Sequence, residues 1–174
     1  MPDPDRASPS AATLPVPRPA VGRWAWPALG SWLLRVATAA ALGIDAIVHW
    51  QNAPAYDSVT ATLSQGDLFR VETAAAVAAG LLVLVRPRPS SWLAALLVGA
   101  SALAAVLLYR YVDVGTLGPL PDMYENTWQV PGKLLSASAE GAAVVLAGLG
   151  LLTHRKHPGM EPLLAVAATE KKRG

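Results

Sequence analysis

Cysteine is absent from the 174 residues. Its absence excludes disulfides, thiolate metal sites, iron–sulfur ligation and cysteine nucleophiles. Charge is scarce too. Asp, Glu, Lys and Arg make up 15% of the chain, against about 25% in a soluble domain. The net charge is +2, and the basic residues lie at the chain ends and in one short loop. They read as topology signals, so no nucleic-acid partner is expected. No Walker loop, dinucleotide fingerprint, nucleophile elbow or zincin motif is found, and no repeat recurs at a fixed period. What the chain has in quantity is apolar: 53% of residues are hydrophobic, and they are clustered.

Four clusters are long enough to cross a bilayer, which takes about 20 helical residues. They cover residues 29–50, 66–85, 91–114 and 132–153. The expected fold is all-α: a polytopic membrane protein built as a bundle of four transmembrane helices, multi-pass in the cell membrane. Residues 1–28, rich in Pro, Ala and Ser, are expected to be disordered and do not read as a signal peptide. Residues 154–174 form a basic tail. "SQGD" predicts a helix cap, with Ser64 at the N-cap and Asp67 three residues on. Pro131 suits the first turn of the fourth span. "RPRPSS" resists helix, which makes spans two and three a tight hairpin. The two other connections, residues 51–65 and 115–131, are long for helix pairs, and long loops are often functional.

Most Lys and Arg fall on one side. Arg18, Arg23 and Arg35 flank span one, Arg86 and Arg88 lie in the tight loop, and Arg155, Lys156, Lys171, Lys172 and Arg173 follow span four. The long connections carry only Lys133 at an edge. Both termini are therefore expected in the cytoplasm. Trp24, Trp26, Trp32 and Trp92 then suit an inner aromatic belt, and Trp50, Tyr109, Tyr111 and Trp128 an outer one.

At about 1.5 Å of rise per residue, the ionisable residues in the spans, apart from Arg35 at the inner edge, fall in the outer half. Asp45 lies about 10 Å below the outer end of span one, with His49 nearer the surface. Arg70 and Glu72 lie roughly 6–9 Å into span two, Arg110 about 6 Å into span three, and Glu140 about 12 Å into span four. An ionised group at mid-membrane costs about 2.5–3.5 kcal/mol, so these groups are expected to face one another or a wet cavity. Asp45 and His49, four residues apart, share a helical face. They are expected to hydrogen-bond and to face Glu140 and one of the two arginines.

Two meanings compete for this cluster. As internal glue, Asp45, Glu72 and Glu140 balance Arg70, Arg110 and a charged His49, and the protein is a non-catalytic scaffold or subunit of a membrane complex. As a site, the cluster forms an outward-opening polar pocket for a small ligand, a quinone head group or a divalent metal. Arg70 and Glu72 point about 200° apart, so one network does not satisfy both, which favours a site. Imidazole and carboxylates suit Zn, Fe or Mn, and Asp45, His49 and Glu140 are the candidate ligands, with Glu72 as the other acidic choice. Haem is disfavoured, because His49 shares no depth with His154 or His157. The loop "GTLGPLPDMYENTWQVPGK" brings Asp122 and Tyr124 as further candidate ligand-binding residues, either as a lid over the cluster or as an interfacial loop. Small residues in "AEGAAVVLAGLG" indicate close helix packing and, secondarily, a homo-oligomer. The sequence names no reaction.

The stretch "LLRVATAAALGIDAIVHW" is similar to the opening span of the DoxX-like membrane proteins, which starts with an Arg at the inner edge, here Arg35. "FRVETAAAVAAGLLVLV" resembles their second span, with a carboxylate before a Gly-rich apolar run, here Glu72 and Gly80. The resemblance covers the first half of the chain. Trp50-Gln51 stands where that family has a small-Gly-Lys ending. The resemblance implies a membrane component tied to redox or quinone metabolism.

Overall fold

The computed structural model describes residues 25–155, with side chains from 29 to 153. The expectations for residues 1–24 and for the basic tail beyond residue 155 lie outside the described residues, while residues 25–28, expected to be disordered, already belong to the first helix. Helix α1 spans Ala25–Asn52 and runs into a 3₁₀ turn at Ala53–Tyr56. Helices α2 (Gln65–Val85), α3 (Pro89–Tyr111) and α4 (Lys133–Arg155) follow. All four are long and apolar enough to cross a membrane. Among the described residues there is no strand, only isolated bridges at Thr60–Ser64 and Leu117–Leu120.

Each helix packs on its chain neighbours, and α4 closes the ring on α1. Packing is extensive for α1 on α2, α3 on α4 and α1 on α4, and thinner between α2 and α3. The core follows from small side chains. Ala41, Leu42 and Ala46 of α1 meet Ala76, Ala79 and Val83 of α2, Trp92 and Ala95 of α3, and Ala143 and Ala147 of α4. Helices approach closely where alanine leaves room, which is how apolar helices gain packing inside lipid. Large apolar residues point outward instead: Val71, Leu81, Val85, Leu97, Leu134, Val145 and Leu152 are all exposed. Water would penalise that surface, whereas bilayer hydrocarbon would not.

Several local expectations are met and some need correction. The Ser64 hydroxyl accepts from the Asp67 N–H at 2.9 Å, as the cap requires. The third helix ends at Tyr111, not residue 114. It begins at Pro89, so Ser90 and Ser91 are helical; proline is tolerated in a first turn because that N–H needs no helical partner. The fourth helix starts at Lys133, after Pro131, because Gly132 turns the chain at φ +79° before it enters the helix. Trp92, assigned by depth to an aromatic belt, is instead 2% exposed and packs where a side chain at Gly150 would collide with its ring. Tyr109 is buried as well. Trp32, Trp50 and Tyr111 are exposed at the helix ends, as a belt requires.

The two long connections gather at one end of the bundle and are tied together by the Leu63 N–H donating to the Pro119 carbonyl at 3.1 Å. At the other end, residues 86–88 make the tight hairpin, fixed by the Ser91 hydroxyl donating to the Arg86 carbonyl at 2.6 Å. Arg35 caps the same end of α2 by donating from Nε to the Val83 carbonyl at 3.1 Å.

Candidate functional site

Two i,i+4 pairs face each other across the α1–α4 contact. On α1, His49 Nδ1 lies 2.9 Å from Asp45 Oδ1. On α4, the Ser136 hydroxyl lies 3.0 Å from Glu140 Oε1. The helices are joined where Ser136 Oγ meets Asp45 Oδ1 at 2.6 Å. Asp45 is 0% exposed and Glu140 1%. One donor atom from each of Asp45, His49 and Glu140 can be chosen so that all lie within 4.8 Å of one another.

A hydroxyl carries one proton. Ser136 therefore donates to Asp45 or to Glu140 but not to both. The other short contact needs a proton from the carboxyl group itself. Moreover, Asp45 Oδ2, Glu72 Oε1 and Glu140 Oε2 are buried and accept no hydrogen bond from any described residue. Leaving buried carboxylate oxygens unsatisfied is expensive, and a positive partner removes that cost.

His49, Glu72, Ser136 and Glu140, though not Asp45, border a cavity of about 360 Å³. Val48, His49 and Asn52 line it from α1, and Phe69 and Glu72 from α2. Ala102 and Tyr109 of α3 and Lys133, Ser136 and Glu140 of α4 complete the walls. The His49 ring meets Phe69 edge-on at 5.0 Å, and Phe69 meets Tyr56 at 5.2 Å. Met123, Glu125, Val130 and Pro131 cover one end, so the long loop packs over the bundle as a lid. It is held by Glu125. The Tyr56 hydroxyl donates to Glu125 Oε1 at 3.2 Å, Lys133 Nζ donates to its carbonyl at 2.9 Å and to Oε2 at 3.2 Å, and its own N–H donates to the Tyr109 carbonyl at 3.0 Å.

The structure brings together Asp45, His49, Glu72 and Glu140 from the candidate list and leaves the others apart. Arg70 turns outward and grips Asp57 with both terminal nitrogens, at 2.8 and 2.9 Å, with Asp67 at 3.2 Å. That hydrogen-bonded pairing holds the Asp57 carboxyl below its usual pKa. Arg110 stacks over Tyr111 and Trp128, with its guanidinium carbon 5.0 and 5.7 Å from the ring centres. Neither arginine lines the cavity, so the expected arginine partner for Asp45 is replaced by Ser136. Asp122 is exposed, and its carboxylate accepts the Tyr124 N–H in a local turn. Tyr124 is exposed too. Both belong to the lid and are absent from the cavity lining.

Sequence reasoning missed Ser136, although it stands four residues before Glu140, the same spacing that drew attention to Asp45 and His49. Tyr56 and Glu125 carry no comparable signal, because they meet only through the fold of two irregular connections. Compared with known proteins, the chain matches no family model, no curated protein and no solved structure.

Proposed function

We propose that this is a membrane protein of the cell envelope, with both termini in the cytoplasm, that binds a divalent first-row metal ion between Asp45, His49 and Glu140. The observation that carries the reading is the pair of buried carboxylates beside an imidazole, each with one oxygen lacking a hydrogen-bond donor among the described residues. A divalent ion satisfies both oxygens and removes the shortage of protons at Ser136. Two carboxylates and one imidazole suit Zn, Fe or Mn. Bonds of about 2.0–2.2 Å need the donors somewhat closer than the 4.8 Å limit within which they lie.

Orientation follows the charge pattern. Arg35, Arg86 and Arg88 mark the hairpin end, and the connections at the lid end hold no Lys or Arg from residue 51 to 65 or from 112 to 132. The lid then faces the extracytoplasmic side. The redox setting implied by the DoxX-like resemblance, with Arg35 and Glu72 as its matching positions, is part of this reading. Metal analysis of protein purified in detergent without chelator is expected to give about one ion per chain, reduced at least tenfold in Glu140→Gln. Protein that stays metal-free after incubation with Zn, Mn and Fe(II) salts would overturn it.

A scaffold role is the second reading, favoured by the Ser136–Asp45 contact, which fastens α4 to α1. It predicts no bound ion and a fold weakened by any change at Asp45.

A further inference from the structure

The cavity is not reached in the same way from all sides. At the lid end it is covered by a loop whose Glu125 receives hydrogen bonds from Tyr56 and Lys133. Between α2 and α3 it is not covered. Val71 of α2 lines the cavity yet is 67% exposed, and Ser101 and Ala105 of α3 line it and are exposed as well. A residue that borders a cavity and also the outer surface marks its mouth. This mouth lies on the flanks of two helices apolar enough to cross a membrane, where the solvent is hydrocarbon. It coincides with the thinner of the packed seams, where Ser101, Ala102 and Ala105 leave room that larger side chains would fill.

The volume says what size of guest fits. One ion needs only a small part of about 360 Å³. The whole lies in the range of small-molecule pockets, roughly 300–1,000 Å³. The chemistry says what charge fits. Moving inward from the apolar mouth, a guest meets Glu72, whose Oε1 is buried without a donor, and then Glu140, 1% exposed and with Oε2 equally bare. The lining cation, Lys133, is already taken up by Glu125. An anionic head would meet these carboxylates with only His49 in the lining left to offset them. Gln65 and Tyr109 also line the cavity and can donate to a neutral guest, but the oxygens left without a donor belong to carboxylates, which a cation satisfies best.

We propose that the cavity binds an amphiphilic amine that enters sideways from the bilayer between α2 and α3, its ammonium head against Glu72 and its alkyl body in the mouth beside Val71 and Ala105. The inference rests on the cavity and not on the ion, since Glu72 stands outside the three-residue ion group. A bound ion and an amine head can therefore occupy the two ends of one pocket.

The test uses the full chain in lipid nanodiscs and three photoreactive probes with the same diazirine-bearing alkyl chain, ending in a primary amine, an alcohol or a carboxylate. Crosslinked residues are mapped by mass spectrometry. The amine is expected to label α2 and α3 around Val71 and Ala105, saturably and at least tenfold more than the carboxylate. Glu72→Gln should bring amine labelling down to the alcohol level. Ala105→Trp should block the mouth and suppress labelling by all three probes, and Ser101→Trp gives a second plug at an exposed position. Equal labelling by amine and carboxylate, or amine labelling indifferent to Glu72→Gln or to both plugs, would overturn the proposal. Metal content of the same unmodified samples reports on the ion site separately. Amine-selective labelling of protein that takes up no metal sinks the ion reading and leaves this one standing, and the converse result does the opposite.

Discussion

Ser136 Oγ lies 2.6 Å from Asp45 Oδ1, across 91 residues of sequence, and this one contact sets α4 against α1 at the depth of the polar cluster. The hydroxyl also reaches Glu140 Oε1 at 3.0 Å. Its removal therefore leaves two buried carboxyl groups without it. Ser136→Ala is expected to lower unfolding free energy by about 1–2 kcal/mol, since hydrogen bonds between membrane helices are worth about 0.6–2 kcal/mol. Ser136→Thr should recover most of the loss. Unfolding titrations in mixed detergent measure both, and an alanine variant as stable as the parent would show that the bridge does not hold the helices.

Gly150 and Gly148 make a controlled pair. A Cβ at Gly150 would run into the Trp92 ring, whereas one at Gly148 meets nothing within 4 Å. Gly150→Ala is expected to cost about 1–3 kcal/mol, the usual range for overpacking a core. Gly148→Ala should be neutral or slightly stabilising. Equal effects in the same titration would contradict the close seating of Trp92 on α4.

The Asp57–Arg70 pair gives the lid end a pH dependence of definite sign. The Arg70 guanidinium, hydrogen-bonded to Asp57, holds that carboxyl below its usual pKa of 3.8. A carboxylate with a lowered folded-state pKa contributes stability that is present above the unfolded pKa and lost as pH falls through the folded one. The connection between α1 and α2 is therefore expected to stay ordered from neutral pH down to about 4 and to loosen below it. Hydrogen exchange reads this directly at the Gln65 N–H, which donates to the Val59 carbonyl at 2.9 Å, and at the Val59 N–H, which donates to the Tyr56 carbonyl at 3.2 Å. Asp57→Asn should make exchange there fast at neutral pH and remove the acid step. A protection profile identical in the two proteins would rule the pair out as the cause.

The lid predicts uneven access. Met123 and Val130 line the cavity, while Asp122, Tyr124 and Gln129 are exposed. Single cysteines at 122, 124 and 129 are expected to react with an impermeant maleimide at least tenfold faster than cysteines at 123 and 130. Glu125→Gln, which weakens the tie to Lys133 at 3.2 Å, should narrow that gap. Uniform fast labelling would mean a free loop.

The helices were legible because hydropathy over about 20 residues is a strong and local signal. The pairing of Asp45 with His49 followed from spacing alone. Neighbours across helices were harder. Trp92 was read by depth, but depth does not tell which way a ring faces, and the gap left by Gly150 drew it inward. Arg70 was balanced against carboxylates inside the spans, whereas its partners Asp57 and Asp67 sit at the membrane edge, where solvation is cheaper. Glu125 became a latch only through the path of an irregular loop, and no periodicity encodes such a path.

Asp45→Asn separates an ion site from a scaffold. The substitution keeps size and shape, and the side-chain oxygen still accepts the Ser136 hydroxyl now 2.6 Å away. It removes the charge that would bind a metal and puts an amide NH₂ in place of Oδ2, the oxygen without a donor among the described residues. A ligand that binds only the folded state stabilises it by about 2.7 kcal/mol at a hundredfold excess over its Kd. Parent protein stripped with chelator is therefore expected to gain roughly that much on adding Zn or Mn at such an excess, seen as a higher unfolding midpoint in detergent. Asp45→Asn and Glu140→Gln should gain nothing, while unfolding at a midpoint close to that of the stripped parent. The scaffold reading expects the reverse: no metal-dependent gain in the parent, and a loss of about 3–5 kcal/mol in Asp45→Asn if His49 is a cation left without its buried partner. Measuring the three proteins with and without metal over pH 5 to 8 decides between them, since His49 can stabilise Asp45 as a cation only when protonated.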